Sequence, residues 1–260
     1  MNVPVITVSS DRSLAYAAER MNERRVGSLL VVDHGITEGI ITSRDVRSAH
    51  PNRIVADAMS TELITVPRTC FAWEAVHLMD RKRIERLLVK DGGEICGIVT
   101  REALKSALSQ LIDPLTGLYR QDFIHAVANR FIANKQAFQV LFIDLDGFGE
   151  INKQYGHPVG DDILVHYAEK LKKTVGKNDY LCRYAGDEFV VVSLQDEEST
   201  LSLAEDLSEV IRIGAVSVSA SVGVYIGTRE TEDMLSLSFR DMITRASLFS
   251  TEIKTQSSAS

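Results

Sequence analysis

Residues 138 to 194 read FQVLFIDLDGFGEINKQYGHPVGDDILVHYAEKLKKTVGKNDYLCRYAGDEFVVVSL, and the reading of the whole chain starts from them. Val140-Leu141-Phe142-Ile143 reads as a buried strand, too short to span a membrane, that runs straight into Asp144 and Asp146. Two carboxylates two residues apart on a strand lie on one face. Further on, Tyr180 to Tyr184 and Phe189 to Val192 are β-prone runs flanking Ala185-Gly186-Asp187-Glu188, and Gly186-Asp187 is the kind of pair a tight hairpin turn requires. If these strands pair with the first, Asp144, Asp187 and Glu188 converge. Carboxylates gathered in one place repel unless a cation sits between them, and all-oxygen ligands suit Mg²⁺ with a phosphate-bearing substrate. Taken singly, acids at strand ends and hairpin tips are usually just solvated.

The surrounding motifs carry a resemblance. DPLTGL at 113 to 118, IDLDGF at 143 to 148, Ile151-Asn152, GHPVGD at 156 to 161 and RYAGDEF at 183 to 189 resemble, in order and spacing, the GGDEF domain of diguanylate cyclases. The resemblance implies a palm-like α/β fold, a mixed sheet covered by helices, of the kind shared by nucleotidyl cyclases and polymerases. It also implies an activity in which two GTP molecules, one on each protomer of a dimer, are joined into cyclic di-GMP. Carried over by position, Asp144 and Asp187 ligate Mg²⁺ with help from the Leu145 carbonyl, and Glu188 stands beside Asp187 in the catalytic turn. Asn152 and Asp161 match the residues that read guanine, where a carboxylate accepts from the base's N–H groups.

The cationic positions of that family are changed. Gly149 stands where a phosphate-binding Lys is expected, and an ungapped match puts Glu252, Thr255 and Gln256 in the closing segment that normally holds the terminal phosphates. Lys254 lies within a register shift of that segment. Gly176, three residues before Asp179, replaces the Arg of the family's product-feedback site. Each missing donor of this type costs about 2.7 to 4 kcal/mol in a transition state. The expectation is a GTP-binding module with weak or no turnover; the alternative is an active diguanylate cyclase whose phosphates are held by Lys153 or Lys254.

The first half repeats. Thr7-Val8 aligns without a gap with Thr65-Val66, Met21 with Met79, Leu30-Val31 with Leu88-Val89, Asp33 with Asp91, Gly35 with Gly93, and Gly39-Ile40-x-Thr42 with Gly97-Ile98-x-Thr100. Each copy reads as a helix (Leu14 to Glu23; Ala72 to Arg81), two strands around a glycine turn (Leu29 to Val32 and Ile40 to Thr42; Leu87 to Lys90 and Ile98 to Thr100) and another helix. Neither copy is long enough to bury a core alone, so the two should pack as one unit. The copies resemble a tandem pair of CBS domains, which implies a cleft for adenosine-containing ligands held by the Thr and Asp of a G-h-h-T-x-x-D motif. Thr42 and Asp45 match both positions; in the second copy Thr100 is kept, but Ala103 replaces the Asp. One competent adenine-nucleotide site is expected, formed by Thr42 and Asp45 with Thr100 as the remnant of a second. The other role open to Thr42 is to cap the helix that follows. Ile54 to Met59 reads as a lead-in helix whose counterpart in the first copy would lie before Met1.

Composition supports a soluble chain. No stretch approaches the ~18 apolar residues of a spanning helix, and no basic region followed by an apolar core opens the sequence, so no membrane partner and a cytoplasmic location are expected. A net charge of −7 argues against a nucleic-acid partner. The dense cluster Arg81, Lys82, Arg83, Arg86 reads as a solvated helix end that could also meet ligand phosphate. Cys70, Cys96 and Cys182, odd in number and widely spaced, read as buried reduced thiols. The domains implied are 1–108, with CBS copies 1–50 and 51–108, and 109–260, with a homodimer as the working assembly. A helix from Glu102 to Ile112 leads into Asp113-Pro114. Other helices are expected over Gln121 to Lys135, Asp161 to Thr174, Thr200 to Ile213 and from about Thr231 into Ser250, with one half-buried strand alternating from Val216 to Ile226.

Overall fold

The computed structural model describes residues 5–176, 179–227 and 237–258, except the side chains of 253 and 255–258. The chain divides into two compact units, residues 1–109 and 110–260.

The amino-terminal unit is a duplication down to its irregularities. The first copy runs β1 (Thr7–Val8), α1 (Leu14–Arg24), β2 (Ser28–Asp33), β3 (Ile36–Thr42) and α2 (Ser43–Ser48). The second runs β4 (Thr65–Pro67), α3 (Ala72–Lys82), β5 (Arg86–Asp91), β6 (Glu94–Thr100) and α4 (Arg101–Ser109). In each, a parallel strand joins an antiparallel hairpin, giving the orders β1-β2-β3 and β4-β5-β6. The hairpin register shifts at the corresponding points, Val31/Val32 and Val89/Lys90, and both long helices end on a left-handed arginine, Arg25 and Arg83. Each copy has its own core, around Leu14, Met21, Leu29 and Ile41 or around Met79, Leu87 and Val89. Leu30 of one copy and Leu88 and Ile98 of the other share a further cluster, so the copies bury their strands against each other. The expected lead-in helix at Ile54 to Met59 is only a 3₁₀ turn, Val55–Asp57, whose neighbour Ser60 exchanges backbone hydrogen bonds with Ile40.

The carboxy-terminal unit comprises β7 (Tyr119–Arg120), α5 (Gln121–Ala133), β8 (Gln139–Leu145), α6 (Phe148–Tyr155), α7 (His157–Thr174), β9 (Asp179–Ala185), β10 (Glu188–Ser193), α8 (Glu197–Ser208), β11 (Ile211–Ile213), β12 (Val216–Val218), β13 (Ala220–Ile226) and α9 (Phe239–Ser258). Five strands form a mixed sheet in the order β13-β8-β10-β9-β7, antiparallel except for β7 beside β9. β8 lies near its centre, buried on both faces from Gln139 to Ile143, which is why its apolar run is continuous and not alternating. Ile163, Leu164, Tyr167 and Leu171 of α7 join Leu203 and Leu207 of α8 in the core with Leu141, Ile143 and Phe189. Tyr167 is fully buried, donates its hydroxyl to the Leu207 carbonyl at 2.9 Å, and is pushed up by burial from the usual phenol range.

Several expectations are corrected. α4 stops at Ser109; Leu111 already accepts from the Arg120 amide and Ile112 bridges to Tyr119, so 111–112 belong to the second unit's sheet edge and not to a continuing helix. The helix expected over Thr200 to Ile213 ends at Ser208, and Ile211–Ile213 instead pairs with Val216–Val218 as a small hairpin. The strand expected from Val216 to Ile226 is two strands in different sheets, broken at Ser219. The closing helix begins at Phe239; the start expected for it near Thr231 falls in 228–236, which lie outside the described residues. Cys182 is buried, with a thiol raised by that burial, but Cys70 and Cys96 are only half-buried; none of the three is in a disulfide.

Candidate functional site

The pairing of three strands creates an acidic site. β8 and β10 run antiparallel with Asp144 directly opposite Glu188, and the two-residue turn Gly186-Asp187 joins β9 to β10 beside them. The Leu145 amide points to the Asp187 carbonyl at 3.4 Å. Burial raises both Asp187 and Glu188 above the ordinary carboxylate range; repulsion from Asp144 adds to it, and Asp187 further raises Glu188. The turn is held from behind. Arg183 donates through Nε and Nη2 to the Gly186 carbonyl at 2.9 and 2.7 Å and through Nη1 to Asp113 at 3.1 Å. Asp113 also accepts from the Thr116 amide and hydroxyl at 2.9 and 2.7 Å. Burial alone would raise the Asp113 carboxyl, but these hydrogen bonds and the Arg183 charge hold it below its ordinary value. DPLTGL and RYAGDEF, far apart in sequence, are thus one brace.

A cation is already seated in this site. Lys254 Nζ lies 2.5 Å from Asp144 Oδ1, 3.4 Å from the Leu145 carbonyl and 3.9 Å from Asp146 Oδ1. Burial works against its charge, yet the bond to Asp144 and the charges of Asp144, Asp146 and Asp187 outweigh that and raise the ammonium above its ordinary value. The reason it reaches is helix placement. A Cβ on Gly223 would lie 1.9 Å from the Ala246 carbonyl, so only glycine lets α9 sit this close on β13. Ser250 donates to the Ser221 carbonyl at 3.0 Å one turn further on, and Lys254 follows a turn later. Asp146 is not a free acid: it accepts from the hydroxyls of Ser219 at 2.6 Å and Ser221 at 2.8 Å. Among the described residues no three His, Cys, Asp or Glu side chains are closed round a metal position. The donors that a divalent ion takes, a carboxylate and a carbonyl, are nevertheless the ones that hold the ammonium, so the donor set accepts a cation.

Beside this site, Asn152 on α6 carries a buried Oδ1 with no hydrogen-bond donor among the described residues. A Cβ on Gly160 would fall 2.0 Å from that oxygen, so glycine there lets α7 close over the amide. Asp161, the next residue, is exposed. Gly149, by contrast, faces nothing within 4 Å. Glu252 is exposed, and the side chains of Thr255 and Gln256 lie outside the described residues. Asp179, three residues after Gly176, is engaged internally by Ser193, Gln195 and the Gly176 amide.

In the amino-terminal unit, a cavity of about 240 Å³ is lined by Thr42, Asp45 and Arg44 of the first copy and by Arg83, Glu85 and Arg86 of the second. Thr42 and Asp45 form a capping box: the Thr42 amide and hydroxyl donate to Asp45 Oδ2 at 2.8 and 2.7 Å, and the Asp45 amide returns a bond to Thr42 Oγ1 at 3.4 Å. Both Asp45 bonds fall on Oδ2. Thr100 is not part of this cavity; it faces Arg86 across the β5–β6 hairpin and accepts from the Ala103 amide at 3.2 Å, a plain helix cap. Arg86, read from sequence as part of a solvated cluster, is instead half-buried with Nε lacking a partner among the described residues.

The family model described as "Diguanylate cyclase, GGDEF domain" matches residues 110–258. The chain belongs to the GGDEF family. The CBS domain model matches residues 1–52 and 55–110, so a tandem CBS pair precedes the GGDEF domain. Curated relatives include the bifunctional diguanylate cyclase/cyclic di-GMP phosphodiesterase MucR of Pseudomonas aeruginosa, 33% identical over 53% of this chain and 22% of MucR. Diguanylate cyclase DosC of Escherichia coli is 38% identical over 36% of this chain and 22% of DosC. The chain therefore spans less than a quarter of either relative. Among solved structures, diguanylate cyclase SiaD with its activator SiaC from Pseudomonas aeruginosa aligns with a TM-score of 0.53 at 21% identity, covering 71% of this chain and 68% of that one, which supports the fold. This is a signalling architecture of diguanylate cyclase type. No helix among the described residues is long and apolar enough to cross a membrane.

The GGDEF domain brings Asp144, the Leu145 carbonyl, Asp187 and Glu188 to one place, with Asn152 and Asp161 on adjacent helices. Sequence reasoning missed the bracing role of Arg183 and Asp113, although both lie inside motifs it quoted, and it offered Lys254 as a phosphate-holding cation, not as a partner of Asp144.

Proposed function

We propose that the GGDEF domain binds GTP with a divalent cation, Mg²⁺ by preference, under the influence of a nucleotide-sensing CBS pair, and turns over slowly or not at all. The observation that carries the reading is the convergence of Asp144, the Leu145 carbonyl and Asp187 on a cation position. When bound, the metal would neutralise phosphate charge and activate the attacking ribose hydroxyl. Asp144 and Asp187 hold it, and Glu188 stands at the same strand end. Asn152 and Asp161 face guanine. A buried carboxamide oxygen without a donor costs about 1 to 3 kcal/mol, and an N–H of the base would relieve it. Product formation needs two such sites, hence a homodimer. Incubation with GTP and Mg²⁺ followed by chromatography for cyclic di-GMP tests the rate; rapid, robust turnover would overturn the weak-activity reading.

A second reading, an active cyclase, is favoured by Lys254. Its ammonium is delivered to the site despite the ungapped assignment of Glu252 to that role, leaving fewer cations missing. Gly149→Lys separates the two. The position is open on all sides and helical, so the substitution has room. Helix propensity favours it by up to about 1 kcal/mol, and the positive charge near the helix start opposes by about 0.3 to 1 kcal/mol. The expected result is an unchanged melting temperature with turnover raised about tenfold or more; unchanged turnover would show that position 149 does not limit the rate.

For the CBS pair, the same reading assigns an adenine nucleotide to the Thr42–Asp45 cavity, whose lining adds the cationic Arg44, Arg83 and Arg86 to that pair. Asp45 Oδ1 meets the ribose and Arg86 the phosphate. Arg86→Met should weaken ADP binding about tenfold or more, measured by calorimetry, with about one site per chain. Two equal sites would contradict the assignment of Thr100 to a cap.

A further inference from the structure

We infer that Lys254 is a resident counter-cation that exchanges with the divalent metal: it occupies Asp144 in the ligand-free protein and must leave before a metal can take that carboxylate. The inference rests on the GTP-and-metal reading above and adds to it a competition between two cations for the same oxygens.

The geometry makes the two mutually exclusive. Lys254 Nζ contacts Asp144 Oδ1 at 2.5 Å and the Leu145 carbonyl at 3.4 Å. A Mg²⁺ ion bound by those oxygens would stand roughly 2.0 to 2.1 Å from each, against an ammonium fixed at hydrogen-bond distance from the same atoms. Two cations that close repel strongly where the site is partly shielded from water. The backbone need not move for the exchange. α9 is pinned as far as Ser250, whereas the Lys254 side chain is half-exposed and carries a flexible four-carbon stem. A landing place lies nearby: Asp146 Oδ1 is 3.9 Å away and is held in place by Ser219 and Ser221. A nucleotide phosphate arriving with the metal offers a better one.

Two consequences follow. Metal alone binds weakly, because it must displace a lysine that already neutralises the site. Metal and GTP together bind with positive coupling, because the phosphate receives the displaced ammonium. The acidic site thereby stays neutralised when empty, which suits carboxylates whose burial and mutual repulsion already raise them.

The test is titration of the full chain with Mn²⁺ alone, following free Mn²⁺ by electron paramagnetic resonance, for the wild type, Lys254→Met, Lys254→Arg and the control Lys173→Met. Lys173 is an exposed lysine in the last turn of α7, so its loss changes net charge equally at a residue with no role in the site. Lys254→Met should bind Mn²⁺ about tenfold or more tightly than wild type, with Lys173→Met unchanged and Lys254→Arg no tighter than wild type. Added GTP should then strengthen Mn²⁺ binding more in wild type than in Lys254→Met. Thermal melts check folding, and saturating Mn²⁺ should raise the melting temperature more in Lys254→Met. If wild type binds Mn²⁺ and GTP but Lys254→Met binds Mn²⁺ no tighter, the exchange is overturned and the GTP site stands. If no variant binds Mn²⁺ alone but all bind it with GTP, the exchange is overturned and the GTP site stands; if none binds it even with GTP, both fall.

Discussion

Asp187→Asn is expected to abolish metal-dependent GTP binding and, at neutral pH, to raise the melting temperature of the ligand-free protein. Both effects come from one cause. Burial, and then repulsion from Asp144, raise the Asp187 carboxyl above its ordinary value, with Lys254 and Arg183 offsetting only part of this. A carboxyl raised in the folded state gives stability that is fully present below its unfolded pKa and is lost as pH rises through its folded one. At neutral pH the ionised group therefore works against the fold, and an amide of the same shape removes that opposition. The same amide is a poor metal ligand. The melting-temperature advantage of Asp187→Asn should shrink as pH falls into the carboxylate range, and saturating Mg²⁺ with GTP should stabilise the wild type but not the variant. A variant that melts lower than wild type at neutral pH would mean that the acidic turn is not under electrostatic load.

Arg183→Met should destabilise the GGDEF domain by about 2 kcal/mol, between the loss for an exposed ion pair and that for a buried one. The Arg183 and Asp113 side chains are 16% and 15% exposed, and removal of the guanidinium leaves Asp113 with only its Thr116 donors and the Gly186 carbonyl with two fewer. Asp113 is lowered in the folded state, so its contribution is present above the unfolded pKa and is lost as pH falls through the folded one. The difference between wild type and Arg183→Met should accordingly narrow in acid. Urea denaturation reads it as a shift in midpoint at unchanged slope. Because Arg183 holds the Gly186 carbonyl, the variant should also bind GTP more weakly when fully folded; full affinity at low temperature would reduce the brace to a purely structural role.

Much of this was legible in the sequence where local pattern and partner coincide. The duplication could be read because Met21, Leu30-Val31, Gly35 and Gly39-Ile40 recur as Met79, Leu88-Val89, Gly93 and Gly97-Ile98 at a fixed interval, and the structure repeats it in register shifts and left-handed caps. The meeting of Asp144 with the Asp187-Glu188 turn followed from strands that pair as their composition suggests. The failures have physical reasons. Val210, Ile211 and Ile213 extend the apolar pattern of α8, and periodicity alone cannot distinguish a helix end from a short strand. Ser219 interrupts the strand after Val218, although the alternation runs on, because its carbonyl and hydroxyl are both committed to Asp146, a contact no local pattern reveals. Lys254 could be named only as a candidate cation for phosphate, because its seat on Asp144 depends on how closely α9 approaches β13, which Gly223 decides from far away in the sequence. Thr42 and Asp45 carry two readings at once, since a capping box uses the same residues at the same spacing as the nucleotide motif.

Calorimetric titration of the full chain with GTP, first in Mg²⁺ and then in EDTA, tests the central claim most directly. The account predicts about one GTP per chain in Mg²⁺, with binding lost in EDTA and in Asp161→Asn. GTP binding that survives both EDTA and Asp161→Asn would place the nucleotide away from the acidic strand ends and contradict it.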